Sequence, residues 1–332
     1  MEKQGKAIYN ALKMAWEEDP SIDVEGWEVL DYRSLPEATL FQMLQPLGID
    51  LNSKDFASFA KEAETPEDLT LMLTEEEGES QLLDQTFLII FELWRRKFPE
   101  VPSLSIFCDQ LDHLINLYYI DGQSEILTSH LNALEGILDS EESPKETFSL
   151  ITSLCGNDLE TFLYDFISDL IHSQEPSLAS DRLEEFYDLV DRKGWFDLLH
   201  IELVNLADPA EAHHLLLRLI EDAKGEKNID LLLAIVQFLI ASGDPKTFVD
   251  LAHSLLPLIP ENDPESLIDE MLEASKEFYM RIDHDEEERV CQNLLKEGNI
   301  KVKRSALNHL LAKPLRDLPP QFPPLQNDPR GT

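Results

Sequence analysis

The sequence predicts an all-α protein: helical hairpins stacked as an α-solenoid in its C-terminal half, an irregular helical region before them and a proline-rich tail after them. Three observations carry this. Leucine outnumbers valine 56 to 9, a surplus of a good helix former over a strand former. Apolar residues recur at helical spacing along most of the chain, most densely at Ile229, Leu232, Leu233, Val236, Leu239 and Ile240. Short joints built on Gly and Asp-Pro follow one another closely after residue 180, and such connections force successive helices to lie antiparallel.

The elements follow in order. Lys6 to Trp16 place Ile8, Leu12, Ala15 and Trp16 on one face and predict a first helix, stopped ahead of Asp19-Pro20. The following SIDVEGWEVLDYRS mixes aromatic and β-branched residues with acids and reads as an ordered loop with room for a short strand. Ser34 with Glu37 has the form of a capping box, and Thr65-Pro66 opens another helix. TEEEGES, from Thr74, reads as an acidic hinge. Gln81 to Phe98 is a long apolar helix whose closing Arg95, Arg96 and Lys97 suit the negative end of its dipole. Helices are expected from Ser103 to Tyr119, Ser124 to Leu138, Pro144 to Leu154 with Ser143 and Glu146 as a capping box, and Asp158 to Ile171.

The polar segment His172 to Ser180 is the expected domain boundary, dividing a helical region at 1–173 from a repeat region at 180–313. Within the latter, helices are predicted from Asp181 to Lys193, Trp195 to Leu206, Pro209 to Lys224, Ile229 to Ser242, Pro245 to Ile259, Pro264 to Ile282, Asp285 to Glu297 and Ile300 to Ala312. Glycines 194, 225, 243 and 298 fall at the joints. Residues 314–332 hold six prolines and read as a disordered, extended tail, with Pro320 and Pro323 forming a PxxP.

One unit, Ile229 to Asn262, spans 34 residues with Leu232, Ile235, Val236 and Leu239 on its first helix. Gly243-Asp244 makes its turn, Ala252, Leu255, Leu256 and Leu258 line its second helix, and Pro260 closes it. It resembles a tetratricopeptide repeat. It departs at Leu232, where tryptophan is usual, at Val236, where glycine is usual, and at Phe248, where a small residue is expected. The resemblance implies a groove that binds a peptide or protein rather than one that does chemistry.

Charge narrows the function classes. The chain carries 66 acidic and 27 basic residues, a formal net charge of −39. That field repels nucleic-acid phosphates and anionic membranes and attracts basic partners. Three scattered cysteines give neither a disulfide framework nor zinc spacing, and Cys108 reads as a core thiol. The absence of a signal-like N-terminus or a membrane-length apolar run leads to a cytoplasmic expectation. Phosphate-loop, dinucleotide, nucleophile-elbow and HExxH motifs are absent, so no cofactor is implied.

Some residues invite a sharper reading. Asp169 with His172 and Glu211 with His214 are acid-x-x-His pairs, the spacing that bundle-bound metal sites use. Their convergence is what a cryptic metal-dependent enzyme would require. His284 and the four acids after it lack the spaced ligands of a calcium loop and read as a helix's first turn. Lys296 to Leu318 reverses the local charge: either its Leu307, Leu310 and Leu311 face docks on the body, or Lys301, Lys303 and Arg304 hook an acidic partner. Trp27, in a polar loop, is the aromatic placed to be a contact residue, whereas Trp195 reads as core. The resulting expectation is a non-catalytic adaptor or chaperone that holds a basic protein or peptide on an acidic helical surface. A structural subunit of a larger assembly is the remaining alternative.

Overall fold

The computed structural model of the chain describes residues 2–74, 80–101, 103–122, 124–242, 244–260 and 266–313. Seventeen α-helices and no strand occur among them, so the fold is all-α. The acidic run 75–79, Gly243, the Asp263-Pro264 joint and the tail from Pro314 lie outside the described residues. The chain divides into two compact units, Met1–Leu163 and Tyr164–Thr332.

The first unit contains α1 (Lys6–Glu18), α2 (Glu37–Leu44), α3 (Ser53–Phe59), α4 (Pro66–Leu73), α5 (Ser80–Lys97), α6 (Leu104–Asp121), α7 (Glu125–Asp139) and α8 (Pro144–Leu154). The division falls inside α9 (Leu159–His172). Trp94, Phe56, Leu40, Leu44, Leu69 and Ile89 are fully buried around α5, which packs on α2 and α4. Helix α6 packs on α1, α7 and α8. The caps of α4, α6 and α7 are the expected ones: Thr65, Ser103 and Ser124 each accept from a backbone N–H three residues on.

Other local expectations need correction. Ser34 does not cap α2; its hydroxyl donates to the Asp31 carbonyl, and Pro36 stands at the N-cap instead. Glu37, freed from a capping box, pairs with Lys97 at 2.7 Å. Ser143 makes no side-chain cap to α8. The Ser21–Ser34 segment holds a 3-10 turn at Tyr32–Ser34 and no strand, and the carbonyls of Trp27, Asp31, Tyr32 and Arg33 accept from side chains. Arg96 donates to the carbonyls of Tyr32, Arg33 and Leu35 at 2.8–3.1 Å while its Nε binds the buried Glu92. The cations closing α5 therefore hold a loop as well as facing a helix dipole.

The second unit continues with α10 (Pro176–Tyr187), α11 (Lys193–Ala207), α12 (Pro209–Glu226), α13 (Ile229–Ser242) and α14 (Pro245–Leu255). It closes with α15 (Leu267–Arg281), α16 (Asp285–Leu295) and α17 (Ile300–Leu311). Consecutive helices from α10 to α14 and from α15 to α17 pack pairwise, α11 also meets α13, α13 meets α15, and α17 meets both α14 and α15. Asp208, Asn228 and Asp244 cap α12, α13 and α14 through their side-chain oxygens. Two glycines assigned to joints are helical. Gly194 lies in the first turn of α11, where an added Cβ would meet Leu231 Cδ2 at 2.7 Å. Gly225 lies inside α12, and the left-handed residue that ends that helix is Lys227, at φ 56°. No helix among the described residues is long and apolar enough to cross a membrane.

Candidate functional site

A cleft of 460 Å3 opens in the first unit between α1, α6 and the Leu30–Arg33 segment. Helical spacing builds its walls. Lys6, Asn10, Lys13, Met14 and Glu17 share one face of α1, and Asp109, Asp112, His113, Asn116 and Ile120 share one face of α6. Glu92 reaches it from α5.

Its floor holds three acids that are all but excluded from water: Glu92, Asp109 and Asp112, 3, 4 and 1% exposed. Buried carboxylates are tolerated when paired or hydrogen-bonded, and each of these is. Glu92 accepts two bonds from Arg95 and one from Arg96. Asp109 pairs with Arg33 at 2.5 Å and accepts from Asn10 Nδ2 at 3.1 Å. Asp112 accepts from Asn10 Nδ2, from the backbone amides of Gly156 and Asn157, and from Asn157 Nδ2, at 2.6–3.0 Å. Burial pushes the Asp112 carboxyl above the ordinary aspartate range, and those four donors pull it back. Burial, reinforced by Arg33, holds His113 below the ordinary histidine value.

Lys6 differs. Burial lowers its pKa, Asp109 and Glu92 act against that shift, and Arg33 and Lys13 add to it. Its ammonium has no hydrogen bond or ion pair among the described residues. Around the mouth stand Glu17 and Asp31, both exposed, and a shelf of Leu117, Tyr119 and Ile120, the last two 53 and 77% exposed. The first unit has 33 acidic and 10 basic residues, and half of the basic ones, Lys6, Lys13, Arg33, Arg95 and Arg96, lie in or beside this cleft.

No known protein family, curated protein or solved structure matches the chain.

The residues singled out from the sequence lie elsewhere, apart from Trp27, which belongs to the same unit. Trp27 is half-buried, with its ring 5.8 Å from Tyr9 and its indole N–H without a partner among the described residues. Lys303 is buried and donates to Asp269 at 2.6 Å. Arg304 donates to the carbonyls of Leu256, Ile259 and Pro260 at the end of α14, and Lys301 is exposed. With Leu307, Leu310 and Leu311 buried, α17 is docked within its unit. His172 bonds back to Ser168 on its own helix, and burial pushes the Glu202 carboxyl up. Among the described residues no three His, Cys, Asp or Glu side chains gather closely enough to hold a metal, so Asp169, His172, Glu211 and His214 do not converge. His284 pairs with Glu287 across the first turn of α16, and Trp195 packs edge-on against Tyr164.

Sequence reading missed Lys6, Asn10, Arg33, Asp109 and Asp112. One signal was available: Asp112 falls on the Cys108, Leu111, Ile115 stripe, an acid at a core position of an otherwise apolar face.

Proposed function

We propose that this protein is a non-catalytic adaptor or chaperone that holds a basic protein or peptide. The observation that carries the reading is the apolar shelf of Tyr119 and Ile120 standing beside the exposed carboxylates of Glu17 and Asp31, on a chain of formal charge −39. A basic amphipathic segment meets both: its apolar side chains cover the shelf and its cations face the acids. The long-range field raises its encounter rate. In the second unit, the contacts of α11 with α13, α13 with α15 and α15 with α17 support a stack of hairpins, an architecture whose repeated surfaces suit extended ligands.

The test is fluorescence anisotropy with two labelled peptides of one leucine pattern, one carrying lysine and the other glutamate at the polar positions. The lysine peptide binds, loses about tenfold or more in affinity between 50 and 500 mM salt, and weakens further with Ile120→Asp. Equal affinity for the two peptides, or indifference to salt, overturns the reading.

A further inference from the structure

We propose that Lys6 is a nucleophilic amine whose Nζ condenses with the carbonyl carbon of an aldehyde or ketone admitted to the α1–α6 cleft. The charges of the cleft floor are allotted among themselves. Asp109 is engaged by Arg33 and Asn10, Asp112 by Asn10, Gly156 and Asn157, and Glu92 by Arg95 and Arg96. Every buried acid near the amine is thus already committed to another donor. Of the lysines and arginines lining the cleft, Lys13 pairs with Glu17 and Arg33 with Asp109, while the Lys6 ammonium has no hydrogen bond or ion pair among the described residues.

Burial, the largest influence on Lys6, favours the neutral amine against the opposing pull of Asp109 and Glu92. The groups facing it are Lys13 and Glu17 from α1, Asp31 and Arg33 from the loop, Glu92 from α5, and Asp109, Asp112 and His113 from α6. Of the exposed acids, Glu17 is paired with Lys13 at 3.8 Å. Lys6 is also the first residue of α1, where the positive end of the helix dipole opposes a cation. Desolvation and neighbouring cations are the two means by which a lysine becomes a nucleophile near neutral pH.

The step balances without an oxidant or reductant. The Nζ lone pair forms the C–N bond, the carbonyl π pair moves to oxygen, and that oxygen takes a proton. Nitrogen gives up a proton, for which His113, kept neutral by burial and lining the same cleft, is an acceptor. Loss of water then leaves the imine, so amine and carbonyl become imine and water. The inference goes beyond the peptide-binding reading and uses the floor of the cleft rather than its shelf.

The experiment treats the full chain with limiting propionaldehyde and sodium cyanoborohydride at pH 7, which fixes any imine as a propylamine, and maps the product by peptide mass spectrometry. Lys6 is expected to be propylated about tenfold faster than the median of the other lysines, because burial lowers its pKa and leaves more of it as the free amine at pH 7. The α-amine serves as an internal reference for a group that ordinarily loses its proton near pH 8. The advantage of Lys6 disappears by about pH 10.5, where all lysines lose their protons. Lys13→Gln, which removes one neighbouring cation, slows Lys6 at pH 7, and Lys6→Arg abolishes the leading product. Modification of Lys6 no faster than that of an exposed lysine such as Lys54 overturns the proposal. No peptide is present in this assay, so its failure and the failure of peptide binding are separate results.

Discussion

The backbone amide of Gly156 donates to Asp112 Oδ2 at 2.6 Å, and the same glycine lies directly against α1. A Cβ on residue 156 would fall 2.7 Å from Asn10 Cβ and 2.9 Å from the Ala11 backbone nitrogen. Backbone cannot swing aside as a flexible side chain can. Gly156→Ala is therefore expected to destabilise the first unit by about 1–3 kcal/mol, read from chemical denaturation. Asp112→Ala leaves the buried donors of Gly156, Asn157 and Asn10 without their acceptor and should cost ~2 kcal/mol or more. If either variant unfolds at the wild-type midpoint, this packing account is wrong.

Arg304 gives a matching expectation for the second unit. Its guanidinium covers three carbonyls at the end of α14, whereas the neighbouring Lys303 makes one ion pair to the half-exposed Asp269. Arg304→Met should lower stability by about 1.5–3 kcal/mol, since charged hydrogen bonds to the Leu256, Ile259 and Pro260 carbonyls are lost. Asp269→Asn should cost less, about 1 kcal/mol or under, because water screens that side of the pair. Denaturation of the two variants side by side checks the order.

Acid should weaken the first unit through two histidines. Burial lowers His113 and His130 below the ordinary 6.5, and His130 is also stacked on Phe107 at 4.1 Å. In the unfolded chain both take up protons as pH falls through 6.5; in the folded unit they resist. Their contribution is thus fully present above pH 6.5 and is lost as pH falls from there toward the folded values. Histidine side-chain NMR titration is expected to show both midpoints under 6.5, and a midpoint at or above 6.5 for either refutes the assignment.

All three thiols are sealed. Cys108, Cys155 and Cys291 are fully buried, the neighbouring Cys108 thiol and burial raise Cys155 well above the ordinary value, and burial raises Cys291 to about 12. Only the thiolate attacks a disulfide reagent. A colorimetric thiol titration at pH 8 should find no fast-reacting group in the native protein and three in denaturant. A rapid native signal would place one of these residues at the surface.

How far the sequence could be read follows from the range of each interaction. Thr65, Ser103, Ser124, Asp208, Asn228 and Asp244 announced their helices because a cap is a contact within three residues. Ser34 and Ser143 have the same spelling without the same bond: α2 starts only at Glu37, behind Pro36, and Ser143 stands at the N-cap of α8 without a side-chain bond to it. Gly194 looked like punctuation but serves the approach of Leu231, a fact that exists only after α13 has packed. The short α3 was not anticipated because only Phe56 of its seven residues is buried, too little to display a period. The cleft was hidden for a related reason: Lys6, Arg33, Asp109 and Gly156 are strung across 150 positions, and nothing local marks them as neighbours.

Helix α1 is seated almost entirely by residues far along the chain. Lys3 donates to the carbonyls of Thr152 and Asn157, Gln4 to that of Ser153, and Asn10 to Asp109 and Asp112. During vectorial synthesis α1 therefore meets its partners on α6 only once residue 112 has been added, and the last of its distant partners only with residue 157, roughly 7–30 s after α1 itself at the usual 5–20 residues per second. Through that interval the face that α1 turns to α6 is uncovered, so the nascent chain offers a surface that the folded unit does not.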